Sequence, residues 1–156
     1  MSDFSTFINS SGALDPNAIR SSGFASAPCP EVAGHDEIIQ VGELAGASDA
    51  DVLAYGYGQK PRVWESASLD NSADIAFREG YDNILVGYLP RKAFLWLPSE
   101  HEYFVICTAP DLLERIRADE LFSYDFKEYS NGDYFQGNKK DFLEGVLREY
   151  TISASV

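Results

Sequence analysis

The sequence predicts an α+β domain, with a mostly antiparallel sheet, a helix packed on it at the C-terminal end and an irregular N-terminal arm. Three observations carry this expectation. Residues 84–89, 93–97 and 103–107 are consecutive runs of aromatic and branched apolar side chains, as in strands with at least one buried face. Phe142, Leu143, Val146, Leu147 and Tyr150 fall on one side of a helix. Residues 9–34, in contrast, are rich in Ser, Gly, Ala and Pro, with scattered anchors at Leu14, Ile19, Phe24 and Val32. The expected division is an arm over residues 1–34, packed on a single domain over residues 35–156.

In chain order, Ser10-Ser11-Gly12, Ser21-Ser22-Gly23 and Pro28-Cys29-Pro30 read as irregular backbone. Ile38, Ile39 and Val41 begin the first compact element, and Gly42 and Gly46 argue against a long helix there. Residues 49–66 predict two short strands joined by a turn, because Val52, Leu53, Tyr55, Tyr57, Val63 and Trp64 are interrupted by Gly56, Gly58 and Pro61. Residues 68–79 predict a short helix with Ile75, Ala76 and Phe77 on its apolar side and Gly80 as its C-cap. The three strands follow, and their near-continuous hydrophobicity implies helices covering part of the sheet. Thr108-Ala109-Pro110-Asp111 has the spacing of a helix start, with Leu112, Leu113 and Ile116 as the inner stripe. Residues 121–126 predict an alternating strand with Phe122, Tyr124 and Phe126 on one face, and Asn131-Gly132 a turn. Asn138 caps the last helix, Asp141 lies in its first turn and Arg148 suits its C-terminal end.

A hydrophobic share of 45% against 24% charged residues excludes general disorder. The net charge is -13, from 25 acidic and 12 basic side chains, and both halves of the chain are acidic. Such a surface repels phosphate backbones, and Arg91-Lys92 and Lys139-Lys140 are only isolated pairs, so no nucleic-acid partner is expected. The acidity either keeps the protein soluble or complements a basic protein. No apolar segment approaches the roughly 20 residues needed to cross a bilayer. No basic-then-apolar segment opens the chain either, so the expectation is cytoplasmic residence without a membrane partner.

Residues able to carry chemistry form no recognisable motif. His35 and His101 belong to no His-x-x-x-His or Cys/His series, so neither a metal nor a cofactor is expected. Cys29 and Cys107 can pair but make no disulfide framework, and Cys107, in an apolar run, reads as a buried thiol. Cys29 would be a nucleophile only with a histidine and a carboxylate in hydrogen-bond reach. Ser66 and Ser99 lack a nucleophile elbow, and residues 55–60 lack the P-loop spacing. Asp49, Asp51, Asp119 and Glu120 read as element boundaries. No catalytic residue is assigned.

The aromatic residues say more. Tyr55, Tyr57 and Trp64 share one turn-rich segment, and Tyr129 and Tyr134 flank another. Rings surrounded by acids suit a protein interface, where the rings supply apolar area and the carboxylates steer a basic partner. The same rings can also serve as core. Tyr55, Tyr57, Trp64, Tyr129 and Tyr134 are therefore the candidate protein-binding residues, and the criterion is three or more rings on one exposed acidic face.

Residues 134–147 read Tyr-Phe-Gln-Gly-Asn-Lys-Lys-Asp-Phe-Leu-Glu-Gly-Val-Leu. This segment resembles the close of SMI1/KNR4-like (SUKH) proteins, which commonly end in a short strand, a polar helix start and a helix containing Phe-Leu. The early helix and following Leu-Pro of that group have no counterpart here, and residues 9–34 depart most. The resemblance implies structural roles for Phe135, Phe142 and Leu143. It also implies a function, since many members are bacterial immunity proteins that bind and neutralise toxins. The expected function is thus a non-catalytic acidic protein-binding module, in its specific form an immunity protein against a basic toxin. The alternatives are a small enzyme or small-molecule-binding domain, with a pocket near His101 or residues 55–64, and a structural assembly subunit.

Overall fold

Strands without polar alternation need cover on both faces, and the centre of this protein is built from them. The computed structural model describes residues 3–31, 33–56, 60–90, 93–99, 102–122, 126, 129 and 138–153. The strands are β1 (Ala25–Pro30), β2 (Asp49–Tyr55), β3 (Arg62–Ser68), β4 (Asn83–Leu89), β5 (Ala93–Leu97) and β6 (Tyr103–Thr108). They form one six-stranded sheet in the order β1-β6-β5-β4-β2-β3, each neighbouring pair antiparallel. The helices are α1 (Pro16–Ser22), α2 (His35–Leu44), α3 (Leu69–Arg78), α4 (Pro110–Arg117) and α5 (Asn138–Tyr150).

Successive strand residues point to opposite faces, and the two faces carry separate cores. Val52, Val86, Tyr88, Leu95 and Ile106 lie in one, with Ile38 and Val41 of α2, Ala73 and Ala76 of α3, and Leu113 and Ile116 of α4. Leu53, Leu85, Phe94, Trp96 and Val105 lie in the other, with Ile19 of α1, Leu143 and Val146 of α5, and Phe4 and Phe7 of a 3-10 turn. The result is three layers, helices on both sides of an antiparallel sheet, as the unbroken apolar runs implied.

The N-terminal segment is more regular than the arm expected of it. Asp15 caps α1 by accepting from the Asn17 N–H at 2.9 Å, Pro16 occupies the first turn, and Gly23 closes the helix at φ 82°. β1 tolerates two prolines because it is an edge strand. The Ser26 N–H and C=O both face outward to Ile152. Pro28 and Pro30 share that orientation, so the N–H groups they lack would have faced the open edge.

Two glycines allow close approach. A Cβ at Gly42 would lie 2.7 Å from the Leu69 side chain and 2.9 Å from Tyr88, so its absence lets α2 close onto α3 and the sheet. This is why α2 runs for ten residues through a residue of poor helix propensity. At Gly87 a Cβ would run into the Phe4 ring.

Local corrections follow. Ala109, not Thr108, is the N-cap of α4 and has no side-chain bond, because Thr108 is buried in β6 opposite Ala25 and Ala93. Glu79 rather than Gly80 caps α3. Residues 120–122 form a 3-10 turn instead of a strand. The Asp119 carboxylate accepts from the Leu121 N–H at 3.1 Å and its carbonyl from the Phe122 N–H at 3.0 Å, which curls the chain. Phe122 and Phe126 consequently enter opposite cores. Tyr124, Asn131 and Gly132 lie outside the described residues.

Candidate functional site

The cysteines cannot be a disulfide, since Cys29 lies in the α2–α4 core and Cys107 in the core across the sheet. Burial pushes the Cys29 thiol up to about 12 against the opposing influence of Arg117. It raises Cys107 well above the ordinary thiol range. Neither therefore supplies a thiolate at neutral pH. Ser66 donates its N–H to the buried Asp51 carboxylate at 2.9 Å, which makes Asp51 a structural acceptor. His35 holds Nε2 3.1 Å from Asp74 Oδ1 at the surface, and His101 lies outside the described residues. Among the described residues, no group of three or more His, Cys, Asp or Glu could hold a metal ion.

The candidate aromatics are dispersed. Tyr55 is half-buried on the α1/α5 face, 6.4 Å from the Trp96 ring. Its buried hydroxyl has no hydrogen-bond partner, and burial pushes it up to about 12. Trp64 packs on the opposite face, bracketed by the Arg62 and Arg78 guanidinium groups at 5.6 and 6.0 Å. Tyr129 donates to the Glu102 carbonyl at 3.0 Å and packs on Phe126, where burial raises its pKa. Tyr57 and Tyr134 lie outside the described residues. The structure does not bring Tyr55, Trp64 and Tyr129 together.

A different set of rings stands exposed. Phe77, at the end of α3, is 54% exposed, and Tyr81, in the turn that follows, is 92% exposed. Val63 of the β3 edge is also 37% exposed but, like its partner Leu53, points to the other face of the sheet. Arg62 ties these pieces together, donating to Glu79 at 3.1 Å and to Asp82 at 2.6 Å, so the edge strand clamps the turn that carries Tyr81. The His35 ring stacks on Phe77 at 6.2 Å. Beside Phe77 a partly enclosed pocket of about 200 Å³ opens between α2 and α3. The surrounding chain is strongly acidic, with eleven carboxylates and three basic side chains over residues 31–82.

Phe77 was misplaced by its neighbours Ile75 and Ala76. It sits seven residues after Asp70 and three after Asp74, which puts it on the exposed stripe of α3. That spacing was the available signal. Tyr81 has a weaker one, its place in the turn-forming sequence Gly80-Tyr81-Asp82.

Fold and site define a three-layer α+β domain with an exposed aromatic corner in an acid-rich segment of the chain. No protein-family model matches the chain, and neither a curated protein nor a solved structure matches it. Among the described residues no helix is long and apolar enough to cross a membrane.

Proposed function

We propose that this chain is a non-catalytic protein-binding module, resident in the cytoplasm, that docks a basic partner on the corner formed by the end of α3, the turn after it and the β3 edge. The observation that carries the reading is Phe77 and Tyr81 standing exposed within a segment of eleven acids and three bases. Rigid aromatic side chains give large contact area for little ordering entropy. Carboxylates around them speed encounter with a basic protein and disfavour an acidic one. The Arg62 clamp on Glu79 and Asp82 holds the turn in one geometry, which lowers the ordering penalty of binding. An immunity protein that covers a basic toxin is the specific form of this proposal, and the SUKH-like segment at residues 134–147 is what supports it.

The small-molecule alternative takes second place because the pocket beside Phe77, at about 200 Å³, is smaller than the roughly 300–1,000 Å³ of most ligand sites, and the larger hollows beside Leu113 and Ile152 (about 820 Å³) and beside Phe142 (about 610 Å³) are broad and open to solvent. The test is affinity capture with the full chain as bait, at about 50 mM and about 500 mM salt, since screening weakens exposed charge pairs. A basic protein held at low salt, released at high salt and not held by the Phe77→Ser/Tyr81→Ser double variant is the expected result. A partner held equally by the double variant would refute the docking corner. A basic toxin encoded beside this chain that forms no salt-sensitive complex would refute the immunity form.

A further inference from the structure

The pocket at the docking corner has an almost wholly apolar wall, formed by Ala33, Ile38, Ala76, Ile84 and Leu97, with Asp82 as its carboxylate and Phe77 at its mouth. Small residues keep it open: a longer side chain at position 33 or 76 would occupy the space. An apolar cavity of about 150 Å³ accepts a benzene molecule. At about 200 Å³ this pocket has room for one side chain of leucine or phenylalanine size. The rim carries charge and π-surface together. His35 stacks on Phe77 and meets Asp74, which remains 66% exposed.

We infer that this pocket receives a single apolar anchor side chain of the basic partner, with a lysine or arginine beside the anchor meeting the exposed Asp74, while Asp82 stays paired with Arg62. The inference rests on the docking function proposed above and names the chemistry of the partner at that site. A buried anchor filling a dry pocket, ringed by contacts that exclude water, is the usual form of an interface hot spot. The acidic surroundings select a cationic neighbour, and the exposed Phe77 face offers that cation a second attraction.

The test titrates the isotope-labelled full chain by NMR with benzylamine, which carries ring and cation in the same relation, and with phenylacetate as the anionic control. Benzylamine is expected to shift the amides of Ala33, Ile38, Ala76 and Gly80, and phenylacetate to bind at least about tenfold more weakly, a difference that salt reduces. Ala76→Leu, which fills the pocket, is expected to abolish the benzylamine shifts while keeping a cooperative melt. Should that variant unfold, Ala33→Leu fills the pocket from the other wall. No shift at these amides, equal binding of phenylacetate, or shifts that survive filling would overturn the inference. Capture of the protein partner separates the two levels. A partner lost with Tyr81→Ser but retained by Ala76→Leu removes the anchor and leaves the docking corner standing. A partner indifferent to both removes the docking function itself.

Discussion

Phe4 rests directly on the sheet because position 87 has no side chain, and there it also meets Phe94 edge-on at 6.2 Å. The 3-10 turn carrying Phe4 and Phe7 is anchored through that contact. Gly87→Ala places a Cβ where the ring lies, so ring or strand must move. Overpacking of this kind typically destabilises by about 1–3 kcal/mol. Urea unfolding is expected to show that loss as a lower midpoint at unchanged slope, and an unchanged midpoint would contradict the seating of Phe4. Legibility also varies residue by residue. Cys107 is buried as its apolar surroundings implied. The absence of a Cys29–Cys107 disulfide became plain only from β-strand parity, which places the two thiols on opposite faces.

Both edge strands resist the addition of another strand. In β3 the pairing Ala50↔Ala67 and Val52↔Trp64 leaves one extra residue, a bulge at which Ser66 takes φ 52° and gives its N–H to Asp51. In β1, Pro28 and Pro30 offer no outward N–H. Binding through side chains of a helix end and the turn after it, as proposed for Phe77 and Tyr81, is consistent with such blunted edges. Asp51→Ala leaves the Ser66 N–H without its acceptor and is expected to destabilise by about 1–3 kcal/mol. Asp51→Asn, which keeps an acceptor oxygen, should lose less. Equal thermal midpoints for Asp51→Ala and the unmodified chain would contradict the bulge account. The strands most legible in the sequence, β4 to β6, are covered on both faces, and apart from the terminal Asn83 of β4 and Thr108 of β6 their residues are uncharged and mostly apolar. β1, with the sequence Ala-Ser-Ala-Pro-Cys-Pro, was not legible, because its burial comes from α4 and α5 packing against it and not from its own hydrophobicity.

Across the whole molecule, layering fixes both its response to alkali and its means of recognition. Cys29, at 9.0 when unperturbed, and Tyr55, at 10.0, are both held up to about 12 by burial, and Tyr88 and Cys107 are raised as well. Above pH 9 the unfolded chain releases protons that the folded chain keeps, so stability falls as pH rises from about 9 towards 12. Thermal midpoints are expected to be flat with respect to these groups below pH 9 and to drop steadily above it; a midpoint unchanged up to pH 11 would contradict their burial. The α+β class and the terminal helix were legible at this scale, because hydrophobic period and distributed charge report directly on layers and surface. The candidate site was legible only as a composition. The sequence offered aromatic rings and acids, but which rings escape the core depends on the rotation of α3 and on the turn that Arg62 clamps. The central claim is that Phe77 and Tyr81 anchor a basic partner, and calorimetric titration of the captured partner tests it most directly. Replacing both rings by alanine is expected to weaken binding by at least about 30-fold, a loss of about 2 kcal/mol or more. An affinity unchanged by the double replacement, with the fold intact by thermal melt, would contradict it.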